Sequence, residues 1–448
     1  MLGQLPKLLD SSRLNHSLDG AIASSIEGSI WSVGRNAIEA VALPVPMGAL
    51  CQIRRRHLSP IPAEVIGFAG SITLLAPLDG AEGISPGDRV RLVESSITIP
   101  VGPEMLGRVF DAAGRAIDDL PQPIAAARAA LDAAPLSAMQ RPPITQVLTT
   151  GVRAIDGLLT LGRGQRVGIF AGSGVGKSTL LGMMSRGTDA DVIVIGLVGE
   201  RGREVQEYLQ RELDPETRKR CVTIVATSDQ PALRRVQAAM AATAVAEYFR
   251  DSGQHVLLMM DSVTRFAMAQ REIGLAAGEA PTTRGYPPSV FSMLPRLVER
   301  SGIGLTGSIT GIYTVLVEGD DNNEPISDAL RGLLDGHFVL SRKIAHQGRY
   351  PAVDILSSLS RLQNHLVDQT HIQHCQVIRN LLSSYAENED MITIGAYPRG
   401  SNPTVDRAIA QLPAINQYLG QPSREVASWQ SATEGLKQLA ATPSPTNG

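Results

Sequence analysis

The sequence predicts an α/β protein in which a small β-barrel precedes a nucleotide-binding core and a helical domain follows it. Three observations support this prediction. Residues 21–98 are rich in Ile, Val, Gly, Ser and Pro and contain short extended runs separated by turns. Within residues 99–363, strand and helix patterns alternate from residue 151 onward, which is typical of a parallel sheet with helices on both faces. Residues 364–441 lose the strand pattern and predict helices.

The composition is that of a folded, charge-balanced protein. The 448 residues exceed one ordinary core, and 41 Lys and Arg against 44 Asp and Glu give a net charge of −3. This balance gives no overall attraction to nucleic acid or to an anionic membrane. The cysteines Cys51, Cys221 and Cys375 are far apart, so we interpret them as reduced thiols of a cytoplasmic protein. The N-terminus lacks the basic start and apolar core of a secretory signal peptide.

The barrel prediction depends on several short, closely spaced strands. The strand candidates are residues 21–33, 49–53, 64–68, 71–76, 89–93 and 96–100. The basic run at residues 54–57 is interpreted as a solvated strand end, because acidic residues balance it and only Trp31 and Phe68 could stack on bases. Residues 1–20, with scattered leucines, are typical of a frayed terminus or of a docking segment for a partner protein, and we keep the docking segment as the functional prediction.

The core prediction begins with a linker that carries an Ala-rich helix over residues 124–133. Strands follow at residues 166–170, 191–198, 221–226, 255–260 and 308–318, with helices between them that include residues 202–212 and 231–249. The C-terminal helices are predicted at residues 367–387, 403–419 and 423–440. Asn402 before Pro403 favours a helix start, because Asn is a good N-cap and Pro suits the first turn. Residues 442–448 predict a disordered tail.

A phosphate-binding loop is predicted where the apolar strand before Ala171 meets a Gly-rich turn and a helix. Glycines let the backbone wrap around phosphate oxygens, and the N–H groups of a helix start attract the anion. Lys177 supplies a charge for the β- and γ-phosphates, and the Ser178 hydroxyl can bind Mg²⁺. Ala171 stands where the pattern has Gly, a small departure. The predicted nucleotide-binding residues are Gly172, Ser173, Gly174, Val175, Gly176, Lys177, Ser178 and Thr179.

Two acidic residues each follow an apolar run. Asp261 follows the run at residues 256–260, where a carboxylate at the carboxyl edge of the sheet can hold Mg²⁺. Glu200 follows the strand after the phosphate-loop helix, where a carboxylate can polarise the water that attacks the γ-phosphate. The alternative for Glu200 and its neighbours is a surface salt-bridge turn.

Residues 351–361 match the pattern Pro-Ala-Val-Asp-x-x-x-Ser-x-Ser at every fixed position. In this pattern the chain resembles the catalytic ATPases of the rotary and type III secretion group, over about residues 20–420. Residues 283–302 and 171–174 are most similar to the flagellar and virulence export ATPases. The resemblance implies a RecA-like P-loop ATPase core with an N-terminal β-barrel and a C-terminal helical domain.

The resemblance also implies roles for single residues. Glu200 matches the catalytic glutamate, and Arg201 and Arg265 match arginines near the γ-phosphate. Tyr350 matches the aromatic residue that stacks on adenine. Arg361 matches the arginine finger that reaches across a subunit interface, a role suited to a permanently charged guanidinium. The implied cofactors are ATP and Mg²⁺.

The implied function is ATP hydrolysis that energises flagellar-type protein export, releasing and unfolding chaperone-bound substrates at the cytoplasmic face of the inner membrane. The resemblance implies a homo-hexamer, so the first partners are five further subunits. The other implied partners are a stator or regulator protein at the N-terminus, a stalk protein in the pore, export chaperones with their substrates and the export gate. No nucleic acid is expected as a partner. A virulence (injectisome) ATPase is the nearest alternative. A Rho-type hexameric translocase of RNA or DNA and a non-catalytic rotary subunit are alternatives of other kinds. The charge-balanced, aromatic-poor barrel disfavours the translocase, and Glu200 disfavours the non-catalytic subunit.

We predict that Lys177→Ala weakens ATP binding at least tenfold and abolishes hydrolysis. A charged hydrogen-bond donor contributes about 1.5–3 kcal/mol, and about 1.4 kcal/mol corresponds to a factor of ten. Equilibrium binding of a fluorescent ATP analogue and phosphate production measure the two effects. Wild-type turnover by this variant would refute the phosphate-loop assignment.

Overall fold

A computed structural model describes residues 25–34, 37–317 and 324–441. The predicted docking segment 1–20 and the predicted tail 442–448 lie outside these residues. The described residues fall into two compact units. One comprises the residues up to Thr98 together with Ile273–Glu279, and the other comprises Ile99–Glu272 and the residues from Ala280 onward.

The first unit is a closed β-barrel, as predicted. Its described strands are β1 (Glu27–Val33), β2 (Ile38–Val41), β3 (Leu50–Arg54), β4 (Ile61–Ala69), β5 (Ile72–Pro77) and β6 (Arg89–Glu94), hydrogen-bonded in the order β1-β2-β5-β4-β3-β6. Successive side chains of each strand point alternately into and out of the barrel. In β4, Ile61, Ala63 and Val65 are therefore buried, whereas the residues between them are partly exposed. Strand β2 was not predicted, because its four residues are too few to form a recognisable pattern.

The second unit is built on a sheet of nine described strands in the RecA-like arrangement. Eight of them run in the order β19-β18-β12-β17-β15-β13-β14-β8, and β16 pairs with β17 at one end. These strands are β8 (Val109–Asp111), β12 (Arg166–Ala171), β13 (Val192–Glu200), β14 (Cys221–Thr227), β15 (His255–Asp261), β16 (Gly302–Ile303), β17 (Ser308–Leu316), β18 (Gly336–Leu340) and β19 (Val353–Ser360). The pairs from β18 to β8 are parallel, as predicted, whereas β19 runs antiparallel to β18.

Helices connect these strands. They are α1 (Arg153–Leu158), α2 (Lys177–Gly187), α3 (Gly202–Glu207), α4 (Pro215–Lys219), α5 (Ala232–Asp251), α6 (Val263–Ala276), α7 (Pro288–Val298), α8 (Pro325–Leu333), α9 (Arg342–His346) and α10 (Gln363–Leu366). A π-helical turn, Tyr208–Glu212, extends α3. It lies within the helix predicted over residues 202–212.

The helix predicted over residues 124–133 is wrong. Residues Ala127–Ala130 form a strand, β9, that pairs with β7 (Thr98–Val101). Alanine favours helices locally, but most of these residues are exposed, so a helix here would bury no apolar face. The nearby Leu131 carbonyl instead accepts a 2.6 Å hydrogen bond from the buried Arg300. Another two-stranded sheet joins β10 (Val147–Leu148) to β11 (Leu161–Gly162).

Three helices complete the second unit: α11 (Gln369–Thr393), α12 (Pro403–Leu419) and α13 (Trp429–Ala441). Asn402 caps α12 as predicted, because its side chain accepts hydrogen bonds from the N–H groups of Thr404 and Val405. Ile378 of α11 and Ile415 of α12 share one apolar core with the sheet. Within the described ranges, every helix is too short or too polar to cross a bilayer.

A close backbone approach fixes the end of α2. Gly187, its last residue, packs against the turn at Thr150 and Gly151. A Cβ on Gly187 would come within 3.0 Å of the Thr150 carbonyl oxygen and of the Gly151 Cα. Neither backbone group can rotate away as a flexible side chain could.

We expect Gly187→Ala to lower the free energy of unfolding by about 1–3 kcal/mol, the typical cost of overpacking. Gly332→Ala is the matched control, since it lies in α8 with nothing within 4 Å of its added Cβ. That control should change stability by less than about 1 kcal/mol, in the stabilising direction. Urea unfolding measures both, and equal effects would contradict the close approach.

Candidate active site

The phosphate loop joins β12 to α2. β12 is buried from Val167 to Ala171, and the loop residues Gly174 and Gly176 take φ values of 77° and 91°. These are left-handed conformations that glycine adopts without strain. The N-terminus of α2 follows directly, so the unpaired N–H groups of its first turn are available to an anion.

Lys177 is held by two acidic residues that the parallel sheet brings beside it. The register pairs Leu197 of β13 with Asp261 of β15, which aligns the ends of the two strands. The Lys177 ammonium donates a short hydrogen bond to Asp261 Oδ1 and lies 3.6 Å from Glu200 Oε1. Thr314 Oγ1 donates a second hydrogen bond of 2.7 Å to Asp261 Oδ1. The charges that are predicted to act on ATP are therefore balanced by one another.

Glu200 is buried at the tip of β13, with only 7% of its surface exposed. Arg265 Nη2 lies 3.4 Å from Glu200 Oε2, and another Arg265 nitrogen donates to the Gly199 carbonyl. Burial raises the pKa of Glu200 to about 7; Lys177 and Arg265 oppose this shift, and Asp261 adds to it. A carboxylate with a pKa near neutrality is a better proton acceptor than an ordinary glutamate.

A cavity of about 170 Å³ lies beside these groups. Its lining includes Ser178, Glu200 and Asp261. Glu200 Oε1 accepts no hydrogen bond within the described part of the chain, because the Lys177 ammonium, at 3.6 Å, is too far away to donate one. Oxygen ligands from a hydroxyl and a carboxylate suit Mg²⁺, and an unpartnered buried carboxylate oxygen suits a bound water. Ser178 and Asp261 therefore fit the metal role predicted for them.

Tyr350 lies next to the phosphate loop. Two of its ring carbons are 3.3 and 3.4 Å from the position that a Cβ on Gly176 would take. The ring is 46% exposed and borders a cavity of about 500 Å³. This position suits stacking on the base of a nucleotide whose phosphates occupy the loop.

Two of the predicted site residues contact other groups. The Arg201 side chain is 76% exposed and pairs at 3.2 Å with Glu204, a residue that lines the cavity beside Glu200. Arg361 follows the edge strand β19, at the end of the sheet away from the phosphate loop. Its N–H donates to the Asp335 carbonyl, and its guanidinium donates a 3.0 Å hydrogen bond to the Arg331 carbonyl. The structure thus gathers Lys177, Glu200, Asp261, Arg265 and Tyr350 around one loop, with Arg201 next to Glu200 but paired with Glu204, and with Arg361 apart from the loop.

Sequence reasoning missed two contributors to the site. Thr314 lies in a strand predicted only as a buried sheet element, and Glu212 accepts a 3.3 Å hydrogen bond from Thr179 Oγ1. Their partners are 53 and 33 residues away in the chain, so no local pattern marks them.

Comparisons with known proteins match the chain to two family domains and to several relatives. Residues 151–360 match the model of the ATP synthase alpha/beta family, nucleotide-binding domain, and residues 367–438 match that of the T3SS EscN ATPase C-terminal domain. The flagellum-specific ATP synthase of Salmonella typhimurium is 50% identical, covering 90% of this chain and 91% of its own. The type 3 secretion system ATPase of Xanthomonas euvesicatoria is 45% identical, covering 98% and 99%. Among solved structures, the chain matches the assembled ATPase EscN of enteropathogenic E. coli in complex with its central stalk EscO. The TM-score is 0.85 and the sequence identity is 43%, and the match covers 92% of this chain and 100% of the EscN chain.

We predict that kcat/KM for ATP falls below pH about 7 and is level above it. The raised pKa of Glu200 means that the carboxyl group is protonated, and unable to accept a proton, below that pH. Since Arg265 lowers the pKa of Glu200, Arg265→Gln should move the acid limb to higher pH.

Arg203→Gln is the control, because Arg203 is exposed and pairs with Glu207 on the same helix. Rates are measured between pH 5.5 and 8.5, a range of about three pH units centred on the pKa of Glu200, at a fixed excess of magnesium. A flat profile, or an equal shift in both variants, would rule out titration of Glu200.

Proposed function

The chain belongs to the flagellar and type III secretion export ATPases, and we propose that it drives protein export by hydrolysing ATP at sites shared between neighbouring subunits of a ring. Its ATPase activity and its role in export follow from that membership. One observation carries the shared-site proposal. Four charged groups of the site converge on one phosphate loop, whereas Arg361 lies at the opposite edge of the same sheet.

The residues of one chain bind and orient the nucleotide. The loop N–H groups and Lys177 hold the phosphates, and Lys177 exchanges its contact with Asp261 for the phosphate oxygens. Asp261 and Ser178 would then hold Mg²⁺, and the ion would supply positive charge that stabilises the phosphates. Tyr350 stacks on the adenine.

Glu200 orients the attacking water and accepts its proton as the phosphate bond breaks. Its burial excludes bulk solvent, and Arg265 fixes the direction of the carboxylate. With the pKa near 7, Glu200 accepts that proton at a smaller free-energy cost than an exposed glutamate would. Arg201 turns from Glu204 toward the γ-phosphate once the nucleotide supplies the negative charge.

Arg361 acts on the site of the neighbouring subunit. Support comes from the sheet register, in which Ser360 pairs with Gly336 at the start of β18, while the phosphate loop follows the far end of β12. Five residue steps along β12 correspond to roughly 17 Å at about 3.3 Å per residue. An arginine side chain does not span that distance. Contacts that join one face of a chain to a different face of the next close into rings, and we propose a homo-hexamer.

The further partners follow from the relatives. The EscN structure contains a central stalk protein, which supports a stalk in the pore of the proposed ring. We propose that the N-terminal segment binds a stator or regulator protein. The ring then works at the cytoplasmic face of the inner membrane, beside the export gate, and releases and unfolds substrates bound to export chaperones. Flagellar and virulence relatives cover the chain to a similar extent, and the flagellar assignment is our first choice.

Two variants test the shared site. Arg361→Ala should retain ATP binding but lose turnover roughly 10³-fold or more, the usual contribution of an arginine finger. Glu200→Gln should also bind ATP without turnover. In a mixture, the first variant offers an intact phosphate loop and the second an intact finger, so phosphate production should partly return.

The control is a mixture of Arg361→Ala with a variant carrying both substitutions, which offers no finger. If neither mixture recovers activity at concentrations where the proteins co-assemble, Arg361 does not act in trans. Stimulation of the wild-type protein by RNA would favour a nucleic-acid translocase instead.

A further inference from the structure

Gln165 lies at the end of β12 beside Arg361, away from the phosphate loop. It immediately precedes β12, and its side chain is fully buried. Gln165 Oε1 accepts a 2.8 Å hydrogen bond from the Gly162 N–H. Its Nε2 donates to the Asp335 carbonyl at 3.0 Å and to Ser360 Oγ at 3.1 Å. The amide thus uses both of its ends on neighbours from three segments of the chain.

These neighbours carry Arg361. Ser360 directly precedes Arg361, and its hydroxyl donates a 2.8 Å hydrogen bond to the buried Thr160 carbonyl. The carbonyl of Asp335 accepts from the Arg361 N–H at 3.0 Å as well as from Gln165. The backbone of Arg361 is therefore fixed on two sides by groups that Gln165 connects. A fully satisfied, buried polar network of this kind has one geometry.

An apolar residue would fill the space of Gln165 but not make these bonds. The Asp335 carbonyl and the Gly162 N–H would then lose a buried partner, which favours rearrangement of the loop that presents Arg361. By contrast, the hydrogen bonds of the Gln165 side chain within the described residues go to Gly162, Asp335 and Ser360 and not to Lys177, Glu200 or Asp261. The effect of losing it should fall on the finger and not on the phosphate loop.

We propose that Gln165 is a positioning residue for Arg361, so that it acts on the active site of the neighbouring subunit and not on its own. This proposal rests on the shared site proposed above. A purely structural role would affect the site of the same subunit, whereas this role affects only the neighbouring site that receives Arg361. A displacement of about 1 Å at a catalytic group can lower a rate by roughly a hundredfold, so a small change in the Arg361 loop suffices.

The test uses the mixing assay with Gln165→Met added to either component. Added to the Glu200→Gln protein, which supplies the finger, Gln165→Met should reduce the recovered activity by roughly ten- to a hundredfold. Added to the Arg361→Ala protein, which supplies only the phosphate loop, it should leave the recovered activity within about twofold, since the phosphate loop itself is unchanged. Ser360→Ala, a smaller change in the same network, should show the same direction if Gln165→Met does not fold.

Each outcome separates the two proposals. No recovery even without Gln165→Met would overturn the shared site itself. If Gln165→Met reduces the recovered activity equally in both mixtures, the positioning role is overturned, because a general loss of stability or of the phosphate loop does not depend on which component carries the substitution. Recovery unchanged in both arms would overturn it as well. ATP affinity and thermal unfolding of each variant are measured in parallel, and unchanged ATP affinity is expected in both arms.

Discussion

The fixed length of strand β12 is the constraint on which the arrangement of the site depends. The phosphate loop follows the C-terminal end of this strand. The segment that carries Arg361 is hydrogen-bonded to Gln165, next to the N-terminal end. β12 is paired on both sides, with β17 and β18, and most of its residues are buried. A strand held in this way neither shortens nor bends appreciably. The two ends therefore do not meet within one chain, and this separation is the basis of the proposed shared site.

The charges around Lys177 follow from the same sheet. Parallel strands end at one edge, so β13 and β15 bring Glu200 and Asp261 to the place where α2 begins with Lys177. Two buried carboxylates without a cation would be costly, and a buried ammonium without an anion equally so. Each stabilises the others until a nucleotide brings its own charge. The arrangement keeps the site folded and also leaves Glu200 with the raised pKa that suits a proton acceptor.

The parts predicted from the sequence are those with a local signal. The phosphate loop has a contiguous motif, and the start of α12 is marked directly by Asn402 and Pro403. The prediction for Ala127–Ala130 is wrong because helix propensity is local, whereas the choice of a strand depends on β7, which precedes it by more than 20 residues. Gln165 and Thr314 were not identified at all. Their hydrogen bonds join residues far apart in the chain, and an isolated Gln or Thr gives no indication of its partner.

The chemistry of the site does not depend on which export apparatus the protein serves. ATP and water are the same in a flagellum and in a virulence system, so the roles proposed for Lys177, Glu200 and Asp261 in hydrolysis apply equally to both. Flagellar and virulence relatives accordingly match this chain almost equally, at 50% and 45% identity. We expect the residues that distinguish the two systems on surfaces that contact partners, outside the buried sheet edge. A ring built from such subunits can keep one hydrolytic site while its outer surfaces diverge.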